Sequence, residues 1–232
     1  MSLLEVEDIH TYYGESHILQ GTSLEVNQDE VVALLGRNGV GKTTTMRSIL
    51  QLTPPSEGSI RFRDEELVGK NTYEVADMGI GWIPEDRRMF GQLSVEENLR
   101  ASVPDTAKMA QSLRLAYDTF PILEERKGQE SSTLSGGQQQ MLAIARGLVG
   151  NNDLLLVDEP SEGLAPQIVA DVGEALLEAS QEIPILLVEQ KLSLALDLAD
   201  RFYVMDHGEI VMEGDTDEYS AENEELRRRL SA

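Results

Sequence analysis

Val31-Val32-Ala33-Leu34-Leu35-Gly36-Arg37-Asn38-Gly39-Val40-Gly41-Lys42-Thr43-Thr44 runs from a continuous apolar stretch into a glycine-rich loop and then into a helical pattern. Five apolar residues without polar alternation suit a strand covered on both faces. Gly36 to Thr43 fits G-x-x-x-x-G-K-[ST], in which the glycines let consecutive backbone N–H groups turn inward on a polyphosphate. The N-terminus of the following helix adds positive potential. The helical pattern spans Lys42 to Leu52 and stops before Pro54-Pro55. An ordinary glycine turn needs neither the lysine nor these flanks. The candidate nucleotide-binding set is therefore Gly36, Asn38, Gly39, Val40, Gly41, Lys42, Thr43 and Thr44. Within it, Lys42 is suited to the β- and γ-phosphates and the Thr43 hydroxyl to Mg²⁺.

A second buried strand, Leu154-Leu155-Leu156-Val157, ends in Asp158-Glu159-Pro160. Two carboxylates at the carboxyl edge of a parallel sheet stand where ligands of such folds bind. Asp158 is suited to Mg²⁺, and Glu159, one residue on, to an attacking water as general base. A third buried strand, Ile185 to Val188, follows a helical segment at about 166–181, which is βαβ order and implies parallel pairing. Leu4 to Ile9 and Ser23 to Val26 alternate as strands around the turn Tyr13-Gly14-Glu15-Ser16. Ser59 to Phe62, Ile80 to Ile83, Phe202 to Met205 and Ile210 to Met212 complete the strands. Helical periodicity holds from Thr106 to Arg126 and from Gly136 to Val149. The sequence thus predicts an α/β domain with a P-loop NTPase core, a mainly parallel sheet and an antiparallel β subdomain. The domain spans 1–232, its core covers 1–84 and 154–232, and a helical lobe is inserted at 85–153.

The chain has 232 residues, with 19 Lys and Arg against 42 Asp and Glu, for a formal charge of −23. That balance opposes a nucleic-acid-binding role, because phosphate backbones are repelled. It leans towards a saline cytosol, where dense carboxylates keep a protein soluble, over a merely acidic cytosolic protein. The absence of cysteine excludes disulfides and thiolate metal sites. No run of apolar residues is long enough to cross a bilayer, and Met1 to Asp8 lacks the order of a secretory signal. The expectation is a cytoplasmic chain, peripheral on the inner face of the membrane through its partners.

Leu134-Ser135-Gly136-Gly137-Gln138 opens a helix just upstream of the Asp158-Glu159 strand. Ser135 alone reads as a helix cap, but the paired glycines and Gln138 resemble the signature sequence of ABC ATPases. The motif order along essentially the whole chain is similar to that family. The resemblance implies that Ser135, Gly136, Gly137 and Gln138 bind nucleotide, with Ser135 and Gly137 contacting the γ-phosphate held by an opposite subunit, so that ATP closes a head-to-tail dimer. It also implies ATP and Mg²⁺ as cofactors and transmembrane permease subunits as partners. The second ATPase subunit is identical or a paralogue, and an extracytoplasmic solute-binding protein takes part indirectly.

The resemblance further implies that Tyr13 stacks on adenine, with Tyr12 as competitor. Glu85 takes the place of a glutamine near Mg²⁺, and is tolerable there only if it faces the metal or an arginine such as Arg87. Ala165 stands where an Asp usually ends the loop Ser161-Glu162-Gly163-Leu164-Ala165, and Gln190 replaces the usual switch histidine. A glutamine donates a hydrogen bond but exchanges no proton in this pH range. Pro84 to Phe90, Ser161 to Pro166 and Val188-Glu189-Gln190 resemble the importers of branched-chain amino acids; Tyr13 to Leu19 also looks like urea and short-amide uptake subunits. A soluble ABC ATPase working outside a transporter, and a nucleotide-binding regulator that does not hydrolyse, are the readings from other classes.

Overall fold

The computed structural model describes residues 2–231. Strands β1 (Ser2–Tyr13), β2 (Ser16–Asn27), β4 (Glu57–Phe62) and the short β5 (Glu65–Glu66) form an antiparallel sheet in the order β2-β1-β4-β5. A second sheet contains β3 (Val31–Leu35), β6 (Ile80–Ile83), β7 (Leu154–Asp158), β8 (Ile185–Glu189), β9 (Arg201–Asp206) and β10 (Glu209–Asp215). Its order is β10-β9-β3-β8-β7-β6, parallel throughout except for β10 at the edge.

The unbroken apolar runs follow from burial on both faces. Along β3, Val32 and Leu34 enter one core, while Val31, Ala33 and Leu35 enter another. The β7 residues divide likewise, with Leu154 and Leu156 on the first side and Leu155 and Val157 on the second. Period-two alternation therefore persists, but it separates two apolar cores instead of core from solvent.

The first core lies between the sheets, where helix α1 (Lys42–Ile49) sets Met46 and Ile49 against Leu4, Val6 and Ile60. The helix is shorter than the sequence implied. Gln51 takes φ 55°, its N–H reaches the Ser48 carbonyl at 3.0 Å, and the Leu52 N–H reaches that of Arg47 at 2.9 Å. This paired closure is a Schellman end, with glutamine where glycine is usual, and it stops the helix before the prolines.

The second core joins the sheet's other face to α7 (Pro166–Ala179), α8 (Leu192–Leu198) and the helices between β6 and β7. These are α3 (Val95–Arg100), α4 (Met109–Thr119), α5 (Pro121–Glu125) and α6 (Gly136–Leu148). The helical periodicity over 106–126 is broken at Phe120, which takes φ −130° and ψ 84° because Pro121 excludes the helical region from its predecessor. Helix α2 (Thr72–Asp77) and the C-terminal α9 (Glu224–Ser231) complete the described chain.

Candidate active site

The loop after β3 owes its shape to close approaches. Gly41 has φ 123°, and a Cβ there would lie 2.8 Å from Leu19 Cδ2 and 3.1 Å from Met205 Sδ. A Cβ on Gly36 would lie 2.7 Å from the Met205 carbonyl oxygen. The β9–β10 turn braces the loop from outside, since Gly208 N–H donates to the Val40 carbonyl at 2.8 Å. In turn the Gly208 carbonyl accepts from Thr22 Oγ1 at 2.6 Å and from the Gln20 N–H at 2.9 Å.

Lys42 begins α1 with only 3 % of its surface exposed. Its ammonium donates to the carbonyls of Gly36 at 2.8 Å and Arg37 at 3.0 Å, and pairs with Glu159 Oε1 at 3.0 Å. Glu159 reaches it because the chain turns immediately after β7: its φ is 44°, and its N–H donates to the Val188 carbonyl at 2.9 Å. A left-handed, non-glycine residue at a strand end costs backbone strain, which the surrounding contacts must hold.

Thr43 Oγ1 donates to Asp158 Oδ1 at 3.4 Å. Burial pushes the Asp158 carboxyl up to about 6; the Thr43 hydrogen bond opposes this, and the charges of Glu159 and Glu85 add to it. Among the described residues, Asp158 Oδ2 is a buried oxygen with no hydrogen-bond partner. A hard divalent cation would satisfy that oxygen, and a carboxylate with a hydroxyl is an oxygen-only donor set of the kind Mg²⁺ uses beside substrate phosphates. These residues fit Mg²⁺.

A cleft of about 400 Å³ runs past these groups. It is lined by Asn38, Gly39, Gly41, Lys42, Thr43 and Thr44 of the loop and α1, by Tyr13 and Ile18 of β1 and β2, and by the carboxylates Glu85, Glu159 and Glu162. Gly36 and Val40 serve through their backbones, behind the lining. Of the two tyrosines, Tyr12 is committed elsewhere: its ring stacks on His17 at 4.2 Å and 6°. Tyr13, 44 % exposed, lines the cleft, and its hydroxyl meets Thr53 Oγ1 at 3.2 Å.

Glu85 lines this cleft, and of the two partners expected for it, the metal or an arginine such as Arg87, Arg87 is engaged elsewhere. Arg87 Nε donates to Gln140 Oε1 at 2.9 Å and its Nη1 to Gln139 Oε1 at 3.3 Å, so the guanidinium is spent on α6. Glu85 instead faces Glu162, whose carboxyl it pushes up by direct contact, with partial burial adding to the shift. Glu162 escaped the sequence reading because only the cleft brings residues 85 and 162 together.

Two groups of candidate residues stay outside the cleft. Ser135 caps α6 through a capping box: its Oγ accepts from the Gln138 N–H at 3.3 Å, while Gln138 Oε1 accepts from the Ser135 N–H at 3.1 Å. Gly136 and Gly137 form the first turn of that helix, and a Cβ on Gly137 would lie 3.0 Å from Ile168. Gln190, one residue past β8, is exposed and absent from the cleft lining.

A parallel sheet whose strand ends bring a lysine, a threonine and two carboxylates to one glycine-walled cleft defines a P-loop nucleotide hydrolase. The family model for ABC transporter matches residues 19–162. The high-affinity branched-chain amino acid transport ATP-binding protein BraG of Pseudomonas aeruginosa is 42% identical over 213 residues, 90% of this chain and 91% of that one. A probable branched-chain amino acid transport ATP-binding protein, LivF of Archaeoglobus fulgidus, is 30% identical over 93% of each chain. A solved ATP-binding subunit of an ABC transporter superposes with a TM-score of 0.87 at 28% identity, covering 99% of this chain and 100% of that one. The chain belongs to the ABC transporter family, as an ATP-binding subunit and an ATPase. Among the described residues no helix is long and apolar enough to cross a membrane.

Proposed function

We propose that this chain energises the uptake of branched-chain amino acids, as one of two ATPase subunits that close head to tail on ATP beneath transmembrane permease subunits. The observation that carries the dimer is a division within the chain. Lys42, Thr43 and Glu159 line one cleft, with Asp158 bonded to Thr43 at 3.4 Å, whereas the capped N-terminus of α6 lies outside it. A helix N-terminus bearing a hydroxyl and glycine N–H groups is an anion receptor, which a second subunit's nucleotide can reach. The amino-acid substrate is supported by the names of the BraG and LivF relatives.

In this reading Tyr13 stacks on the adenine, and Lys42 exchanges Glu159 for the β- and γ-phosphates. Glu159 then accepts the proton of the attacking water. Gln190 donates a hydrogen bond to the γ-phosphate and takes no proton. Thr43 and Asp158 would hold Mg²⁺, with Glu85 as a further candidate ligand, and the ion would supply neutralisation of phosphate charge. The helices within 85–153 act as a lobe that carries Ser135 to Gln138 towards the partner subunit. The chain sits on the inner face of the membrane through its permeases, with a solute-binding protein on the far side.

The test is ATP hydrolysis by the chain assembled with its co-purifying permeases and solute-binding protein in vesicles. Leucine, isoleucine or valine should stimulate it. Stimulation by urea or short amides instead would move the substrate to that uptake class, and an assembly without permeases would overturn the transport reading. Glu159→Gln should trap an ATP-bound dimer on a sizing column; a monomer at saturating ATP would refute the closure mechanism.

A further inference from the structure

Beyond the strand ends, one backbone segment is held from both sides by side chains of another loop. Glu189, the last residue of β8, is buried, with 1 % of its surface exposed. Its Oε1 accepts from the Ser161 N–H at 3.2 Å, and its Oε2 accepts from the N–H groups of Gln190 at 2.9 Å and Lys191 at 3.0 Å. Lys191 Nζ donates to the Ser161 carbonyl at 2.9 Å. The Ser161 backbone is therefore gripped through its N–H and its C=O by the residues on either side of Gln190.

The sheet does not need this link. Its ladder is already closed at this end by the Glu159 N–H on the Val188 carbonyl at 2.9 Å. The grip extends past the ladder, into the loop that starts two residues after Glu159. That loop also folds back on Glu159, since the Glu162 N–H donates to the Glu159 carbonyl at 3.2 Å. A buried carboxylate is costly unless its oxygens are hydrogen-bonded, and here three amides meet it. Such pairs of charge-assisted bonds make rigid connections.

We propose that Glu189 and Lys191 are positioning residues that join the Gln190 turn and the loop following Glu159 into one mechanical unit, so that contact of Gln190 with the γ-phosphate sets the Glu159 carboxylate for reaction. This rests on the roles given above to Gln190 and Glu159. The clamp acts in turnover and not in ground-state binding, because neither of its side chains lines the cleft.

The test is steady-state ATP turnover by the full chain, with Glu159→Gln measured alongside. In Glu189→Gln the amide oxygen can keep the two local N–H donors of Gln190 and Lys191, while its NH₂ then faces the Ser161 N–H, so the cross-loop bond alone is cut. The expected result is a fall in kcat of about tenfold or more with KM for ATP within about twofold, as for a bond felt in the transition state. Lys191 is exposed, so Lys191→Met leaves the fold intact; it should lower kcat by about 3- to 10-fold, and Lys191→Arg should restore most of it. Because both side chains hold the same residue, Ser161, the double variant should lose less than the product of the single losses. Wild-type kcat in either single variant, or a loss carried by KM or by protein already unfolded at the assay temperature, overturns the clamp. If Glu159→Gln itself turns over normally, the assigned chemistry of Glu159 fails and the clamp, which acts through it, falls with it; a large loss in Glu159→Gln beside wild-type kcat in the clamp variants overturns the clamp alone.

Discussion

Replacing Glu159 with glutamine should destabilise the nucleotide-free protein while tightening its grip on ATP. Lys42 and Glu159 lie 3.0 Å apart with 3% and 9% of their side chains exposed. At an effective dielectric near 20, that separation corresponds to a gross attraction of about 5.5 kcal/mol. Desolvation of both charges cancels most of it. Removing one partner leaves the other buried and uncompensated, which commonly costs about 3–5 kcal/mol. Here Lys42 keeps the carbonyls of Gly36 and Arg37, and the glutamine oxygen still accepts a hydrogen bond, so about 2–3 kcal/mol is the expected loss. For a chain of this size each kcal/mol shifts the midpoint by about 2–4 °C, giving a fall of roughly 4–12 °C without nucleotide. In the wild type Lys42 must leave Glu159 to reach the phosphates, and in the variant it need not. Apparent ATP affinity should therefore rise about tenfold, equivalent to about 1.4 kcal/mol. Turnover should drop by about 10²–10⁴, because an amide cannot take the water's proton. Thermal melts with and without Mg²⁺·ATP, together with steady-state hydrolysis, measure all three. A variant melting with the wild type in the absence of nucleotide, and binding ATP no more tightly, would refute the account of the buried pair.

Gly41→Ala, forced into φ 123° against Leu19, should cost about 1–3 kcal/mol and weaken ATP binding, read by melting and nucleotide titration; an unperturbed midpoint would disprove the packing argument. Ala165 is the exposed N-cap of α7 and makes no side-chain cap bond, so Ala165→Asp should stabilise the chain by about 0.5–2 kcal/mol in a denaturant titration. Asp158 has a folded pKa raised to about 6, so its contribution to stability is present below its unfolded pKa of about 3.9 and is lost as pH rises through about 6. In metal- and nucleotide-free buffer, Asp158→Asn should accordingly be the more stable protein at pH 7, by up to about 2–3 kcal/mol, with a shallower fall between pH 4 and 6; the reverse order would sink the burial argument. With a net charge of −23, the wild-type midpoint should rise from about 0.1 M KCl towards molar salt, where the Debye length falls to about 3 Å; a flat series would remove the saline-cytosol reading.

The amino-acid sequence by itself determined the parallel strands, the phosphate-type loop and the family. Those features are local: a five-residue apolar run, glycines at fixed offsets, a lysine and threonine opening a helix, and two carboxylates closing a strand all depend on neighbours along the chain. Helix ends were less legible, because α1 is closed by Gln51 in a left-handed conformation, a geometry glutamine does not advertise. The pairing of Glu85 with Glu162, the diversion of Arg87 to Gln139 and Gln140, and the grip of Glu189 and Lys191 on Ser161 belong to the tertiary structure alone. Each joins residues separated by about 28 to 77 positions, and each is a charge meeting a group that the fold, not the local sequence, sets beside it. A carboxylate or guanidinium carries no mark of its partner in its own stretch of chain; direction and distance select that partner, and they exist only once the strands and helices have packed.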